Sequence, residues 1–243
     1  MTPAPQARPA AKAGAGGFLA LILAVIAFLS TTPDLTRLGL RADRGLAGLR
    51  TTTLTEAAEG LTFAAQEAVG LAALLVALIV LVMWQRRFDA LRLLGMAGVA
   101  WVAAYAIKHL LDRARPPESL WVINPDPTGS LPSGHTTTAT VILVMAYVLF
   151  RHTRAGRPVL AVGVLYALAV GVSRLYLGDH YPADVLAAYL TALAAALLVS
   201  AIADLRFVRV IAAAVLRTPE IVPPKDEPAV GAHRRPRGVT ERT

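Results

Sequence analysis

The sequence predicts an all-α fold, a polytopic membrane helix bundle with about six transmembrane helices. Three observations predict it. The chain of 243 residues is 56% hydrophobic and only 16% charged, where a soluble domain carries about 25% charged residues; its mean hydropathy is +0.56. The apolar residues are gathered into six long runs without a single Asp, Glu, Lys or Arg. Those runs are rich in Ala, Leu, Gly and Val, a composition that lets helices approach closely in lipid. The same figures exclude other classes. So apolar a chain is not globally disordered. With no cysteine there is no disulfide scaffold, thiol catalysis, thiolate zinc or cysteine-ligated iron–sulfur cluster.

The elements follow in order. Arg8 and Lys12 precede the first run, Ala13–Thr32, as in a secretory signal. No clear small-x-small cleavage pattern follows it, so a retained helix is expected rather than a cleaved leader. The segment 35–50 sets Leu35, Leu38, Leu46 and Leu49 among Arg37, Arg41 and Arg44. It reads equally as an amphipathic segment on the headgroups or as an ordinary connecting loop. The remaining runs are Ala68–Gln85, Leu93–Ile107 (bounded by Arg92 and Lys108), Thr136–Phe150, Pro158–Ser173 and Val185–Ala203. A span needs about 17–25 residues; the three shortest runs reach this by extending a turn into their polar ends. Helices fit, because open strands leave backbone groups unsatisfied in lipid. Beyond Arg217 the chain holds Pro219, Pro223, Pro224, Pro228 and Pro236 among charged and small residues, and disorder is expected there. The organisation read from this is a cytoplasmic N-terminal segment (1–12), a membrane-embedded domain (13–216) and a disordered basic cytoplasmic tail (217–243).

Lys and Arg fall unevenly on alternate loops. Arg8 and Lys12, Arg86, Arg87 and Arg92, Arg151, Arg154 and Arg157, and the basic tail lie on one side. Arg37, Arg41, Arg44, Arg50, Arg113 and Arg115 lie on the other. The positive-inside rule puts both termini in the cytoplasm of a protein of the plasma (inner) membrane. It also accounts for the sequence pI near 10.4 without a nucleic-acid partner. Trp101, Tyr105 and Trp121 read as interface and packing aromatics.

Charged groups at membrane depth are expensive and mark function. Lys108 and Arg115 are seven apart; if the third transmembrane helix continues through both, they share a face. Pro116-Pro117 then stops it. The fourth begins after Pro132-Ser133-Gly134-His135, where Gly134 permits a tight turn and the helix N-terminus presents free N–H groups to an anion. The fifth ends at Ser173-Arg174; His180 follows in a short loop, with Asp184 four residues later and Pro182 suited to the first helical turn. In a six-helix layout all these groups fall on one side of the membrane. Three cations, two histidines, a carboxylate and a helix N-terminus at one boundary suit a phosphate, whose transfer needs positioning and charge neutralisation above all.

Lys108-x6-Arg115-Pro116, Pro132-Ser133-Gly134-His135 and Ser173-Arg174-x5-His180-x3-Asp184 together resemble the three signature motifs of the type-2 phosphatidic acid phosphatase superfamily, integral-membrane lipid phosphate phosphatases related in site to vanadium haloperoxidases. Ala188 stands where many relatives carry Gly, a departure that touches packing. The resemblance implies a nucleophilic His180 forming a phosphohistidine, with Asp184 orienting it and His135 protonating the leaving oxygen and then activating water. It implies a phosphate held by Lys108, Arg115 and Arg174, with Ser133 and the Gly134 N–H as further donors. No cofactor and no metal are implied, because the cations neutralise the charge. The substrate expected is a lipid phosphate or diphosphate such as an isoprenyl diphosphate, phosphatidate or phosphatidylglycerol phosphate, taken from the bilayer at the extracytoplasmic face. A phosphotransferase with the same phosphohistidine and a non-catalytic carrier or scaffold are the alternatives. Asp112, one turn after Lys108 and a candidate partner for it, and Asp179, beside His180, stand outside the core set. His109 points about 100° from Lys108 and reads as structural.

Overall fold

A computed structural model describes residues 9–216, and among these every regular element is helical. They form α1 (Pro9–Leu29), α2 (Pro33–Ala47), α3 (Thr52–Ala64), α4 (Glu67–Met83), α5 (Arg87–Leu111), α6 (Gly134–Phe150), α7 (Gly156–Leu177), α8 (Pro182–Ala203) and α9 (Arg206–Leu216). α1, α5, α7 and α8 are each long and apolar enough to cross a membrane. α3 and α4, bent by 49° at Ala65-Gln66, are together long and apolar enough to enter or cross a membrane as one bent pair, and α6 is a shorter apolar helix of 17 residues. The six uncharged runs thus correspond to α1, α4, α5, α6, α7 and α8. Exposed Phe18, Leu75, Ile79, Val102 and Leu165 form an outer surface for lipid, not water. The chain is an integral membrane protein. The expected disordered tail, 217–243, and residues 1–8 lie outside the described residues.

α8 is the axis of the bundle, packing on α1, α5 and α6. Its buried Ala187, Ala188, Ala192, Ala194 and Ala195 keep those helices close. Ala188 is fully buried, so the methyl group at that position is accommodated within the packing. The main core joins Leu74 and Leu81, Leu93 and Met96, Val141 and Met145, and Ala192 and Ala195. Where α7 meets α8, a Cβ on Gly171 would come within 2.8 Å of Val185 Cγ1; only the absence of a side chain allows that approach. The buried threonines of α6 find partners nearby: Thr138 Oγ1 accepts from Trp101 Nε1 of α5 at 3.2 Å, and two others bond one turn back. Thr137 Oγ1 donates to the Ser133 carbonyl (2.9 Å) and Thr140 Oγ1 to that of Thr136 (2.8 Å), which lets hydroxyls lie in an apolar interior.

Segment 35–50 is largely helical: α2 is amphipathic and lies against α7 and α8, with Gly39 facing the Tyr181 ring. Four helix ends matter for the site. α5 stops at Leu111 because Asp112 adopts a left-handed conformation (φ 37°). Arg115 therefore stands in the following loop, not on the helical face of Lys108. α6 is capped by Ser133, whose Oγ accepts from Thr136 N at 3.4 Å. α7 ends in Gly178 at φ +82°, a backbone state that glycine adopts at no steric cost. α8 opens with Pro182, and Asp184 reaches back so that Oδ2 accepts from Tyr181 N at 2.8 Å. Ser133 N donates to the Asp184 carbonyl at 3.1 Å, tying the start of α6 to the start of α8.

Candidate functional site

The end of α5, the start of α6, the end of α7 and the α7–α8 loop meet the α3–α4 bend around one cavity of about 810 Å³. Lys108, Arg115, Gly134, His135, Arg174 and His180 all line it. Residues separated by up to 72 positions in the chain thus face one space, at one end of the bundle.

The cations are held in place by acceptors of the protein, among them the cavity-lining Thr62, Thr128 and Asp179. Lys108 Nζ donates to the Gly129 carbonyl at 3.0 Å; Asp112, the candidate partner, is exposed. Arg115 Nε donates to the Thr128 carbonyl and Nη1 to that of Asp179, both at 3.1 Å. Arg174, 2% exposed, donates from Nη1 to Thr62 Oγ1 at 3.0 Å and from Nη2 to the Asp179 carboxylate. Asp179 is fully buried and also lies 3.5 Å from Arg115 Nη1, so one carboxylate aligns two arginines. The lining acids Glu67 and Asp126 are exposed, whereas deeper in the cavity Lys108, Arg115 and Arg174 outnumber the one buried acid, Asp179. A phosphate reaching those cations would exchange solvation for fixed donors.

His180 is 2% exposed. Its Nε2 lies 3.4 Å from Arg115 Nη1 and its Nδ1 lies 3.5 Å from Asp184 Oδ2. A guanidinium only donates, so Nε2 beside it is the bare nitrogen, and the ring proton belongs on Nδ1, facing the carboxylate. Burial lowers the His180 pKa, opposed in part by Asp179 and Asp184, which keeps the imidazole neutral and its Nε2 unprotonated. Asp184 is fully buried.

Of the residues expected from sequence, Lys108, Arg115, Gly134, His135, Arg174 and His180 line the cavity, and Asp184 stands behind His180. Ser133 differs. It is fully buried, absent from the cavity wall, and its hydroxyl is engaged by Thr136 N and Thr136 Oγ1. The cap uses the oxygen as an acceptor, and what sets Ser133 apart from the expected phosphate donors is its position behind the cavity wall. His109, expected to be structural, lines the mouth beside Tyr105, with ring centroids 4.2 Å apart, because the opening spans more than one face of α5. Sequence reasoning left out Asp179, and it gave no role to Thr62 or to Arg113, whose Nη1 donates to Asp184 Oδ1. The signal for Asp179 was its adjacency to His180; neither Thr62 nor Arg113 has a spacing that announces it.

Residues 89–207 match the model of the PAP2 superfamily. Phosphatidylglycerophosphatase B of Bacillus subtilis (strain 168) is 30% identical over 111 residues, 44% of this chain and 54% of the relative. Undecaprenyl-diphosphatase BcrC of the same organism is 33% identical over 104 residues, 40% of this chain and 51% of the relative. The chain thus spans about half the length of these curated relatives. The crystal structure of a transmembrane PAP2-type phosphatidylglycerolphosphate phosphatase from Bacillus subtilis superposes with a TM-score of 0.71 at 24% identity, covering 78% of this chain and 96% of that one. At that identity the likeness establishes the fold.

Proposed function

Because the chain belongs to the PAP2 superfamily, we propose that it is a metal-independent lipid phosphate phosphatase working through a phosphohistidine on His180. The observation that carries the reading is the shared cavity: Lys108, Arg115 and Arg174 converge with His135 and the bare Nε2 of His180 on one space. Its candidate substrates are those in the names of the similar proteins, phosphatidylglycerol phosphate and an undecaprenyl diphosphate, together with phosphatidate.

In the proposed reaction the three cations hold the phosphate oxygens. His180 Nε2 attacks phosphorus while the bond to the leaving oxygen breaks, and His135 donates a proton to that oxygen. The Nδ1 proton stays between His180 and Asp184, whose charge stabilises the ring as Nε2 acquires the phosphoryl group. His135, now neutral, takes a proton from water as water attacks phosphorus, and the P–N bond breaks to free His180 and release phosphate. Gly134 and His135 open α6, so its N-terminal amides add partial positive charge; Ser133 contributes by fixing that end of the helix. The cations supply the neutralisation that a metal gives in other phosphatases.

Residues 13–216 form the phosphatase domain in this reading, with both termini in the cytoplasm of the inner membrane and the cavity at the extracytoplasmic face. The test is phosphate release from purified protein given these lipids in detergent, with and without a chelator. Release that tolerates the chelator and falls by at least ~10³-fold in His180→Ala supports the reading. Label passed to another lipid instead of free phosphate makes the protein a transferase, and full activity in the variant rejects the mechanism.

A further inference from the structure

We propose that Arg113, which does not line the cavity, is a positioning residue that orients His180 through Asp184. The inference rests on the reading of His180 as the nucleophile. Arg113 belongs to the loop that follows α5, and its side chain is 8% exposed. Its Nε donates to the Ser30 carbonyl just beyond α1 at 3.1 Å. Its guanidinium lies 4.1 Å from the centroid of the Tyr181 ring, the residue next to His180. Its Nη1 donates to Asp184 Oδ1. With Oδ1 engaged by Arg113 and Oδ2 by Tyr181 N at 2.8 Å, the carboxylate cannot rotate, and Oδ2 stays at the distance from Nδ1 that keeps Nε2 aimed into the cavity.

The arrangement behind Arg113 fits the same role. Asp43 on α2 is fully buried and neither of its oxygens has a hydrogen-bond partner; Arg113 Nη2 is likewise buried and unpartnered. The charged or titratable groups facing Asp43 are Arg113, Asp179, Tyr181 and Asp184. Arg113 is thus the cation that meets Asp184 and Asp43, while Arg115 and Arg174 hold Asp179. Arg113 also moderates the field that Asp184 exerts on His180. Without it, the carboxylate would favour the imidazolium more strongly, and Nε2 would carry a proton over more of the working pH range.

The test measures kcat and KM for a short-chain phosphatidate in detergent from pH 5 to 9, in the parent, Arg113→Gln, Arg113→Lys and His180→Ala. The rate of His180 modification by diethyl pyrocarbonate, which reacts with the neutral ring, is read by peptide mass spectrometry over the same range. In Arg113→Gln, kcat falls at least ~10-fold while KM stays within ~3-fold. The acidic limb and the modification midpoint both move up by at least ~0.5 pH unit. Arg113→Lys keeps the midpoint and recovers part of kcat, because it restores the charge without the fork. An unmoved midpoint in the Gln variant, or a KM rise that accounts for its loss of kcat/KM, overturns the proposal. If the Gln variant does not fold, Arg113→Lys decides: parental kcat overturns it, and a partial loss of kcat at unchanged KM sustains it. A parent that releases no phosphate while the Gln variant still moves the His180 midpoint counts against the phosphatase reading and not against this one.

Discussion

Replacing Asp43 by Asn removes a buried group that must ionise at alkaline pH while keeping the shape of the side chain. Burial and then the Asp184 carboxylate push the Asp43 pKa from 3.8 up to about 7, against the pull of Arg113. The folded protein therefore holds this proton more tightly than the unfolded chain does. The stability gained by doing so is complete below about pH 4 and is lost as pH rises through 7. At about 1.4 kcal/mol per pH unit, the loss approaches ~4 kcal/mol at pH 8 and is under ~2 kcal/mol at pH 5. Asn does not titrate and escapes it. In a chain of this size ~1 kcal/mol moves Tm by about 2–4 °C, so Asp43→Asn should melt roughly 5–15 °C above the parent at pH 8. The gap should shrink by about half or more at pH 5. Thermal unfolding in detergent from pH 5 to 8 reads it. The pH dependence of the gap is decisive, since an unpartnered amide costs the same throughout. A gap that is constant, or that widens toward pH 5, would refute the reasoning.

Two further outcomes follow from the geometry. Gly171→Val forces a side chain into the space of Val185 and Tyr189 where α7 crosses α8; overpacking of this kind costs about 1–3 kcal/mol or more, and a lowered Tm with reduced activity at a permissive temperature is expected. Glu67 lines the mouth near Gly134 and opposes an approaching anion, so Glu67→Gln should lower the inhibition constant for inorganic phosphate by about 2–5-fold, the scale of one exposed charge; an unchanged constant would remove Glu67 from the electrostatics of the site.

Much of the fold was legible because the bilayer imposes a simple pattern. Uncharged runs announced α1, α4, α5, α6, α7 and α8. α3 was hidden because Glu56 and Glu59 interrupt its apolar character, and its breadth of contact with α7 is a tertiary fact. The end of α5 was misplaced because Asp112, not Pro116, breaks the helix, and nothing local marks an aspartate that turns left-handed. The site was legible wherever it rests on spacing: His180 and Asp184 share a loop and the first turn of a helix, and Gly134 and His135 open another. It was not legible where one side chain serves two distant partners. Asp179 joins Arg174 to Arg115, and Arg113 joins Ser30 to Asp184; such pairings follow from how the helices pack, which no short motif encodes. Ser133 shows the converse, a motif residue that packing sets behind the cavity wall as the cap of α6.

The central claim concerns one bond, between His180 Nε2 and phosphorus. Rapid quenching of the protein with lipid carrying labelled phosphate, under alkaline conditions that preserve phosphohistidine, followed by peptide mapping, tests it directly. The account predicts label on the peptide containing His180, acid-labile and missing from His180→Ala. Label on any other residue, or turnover by His180→Ala at the parental rate, would contradict it.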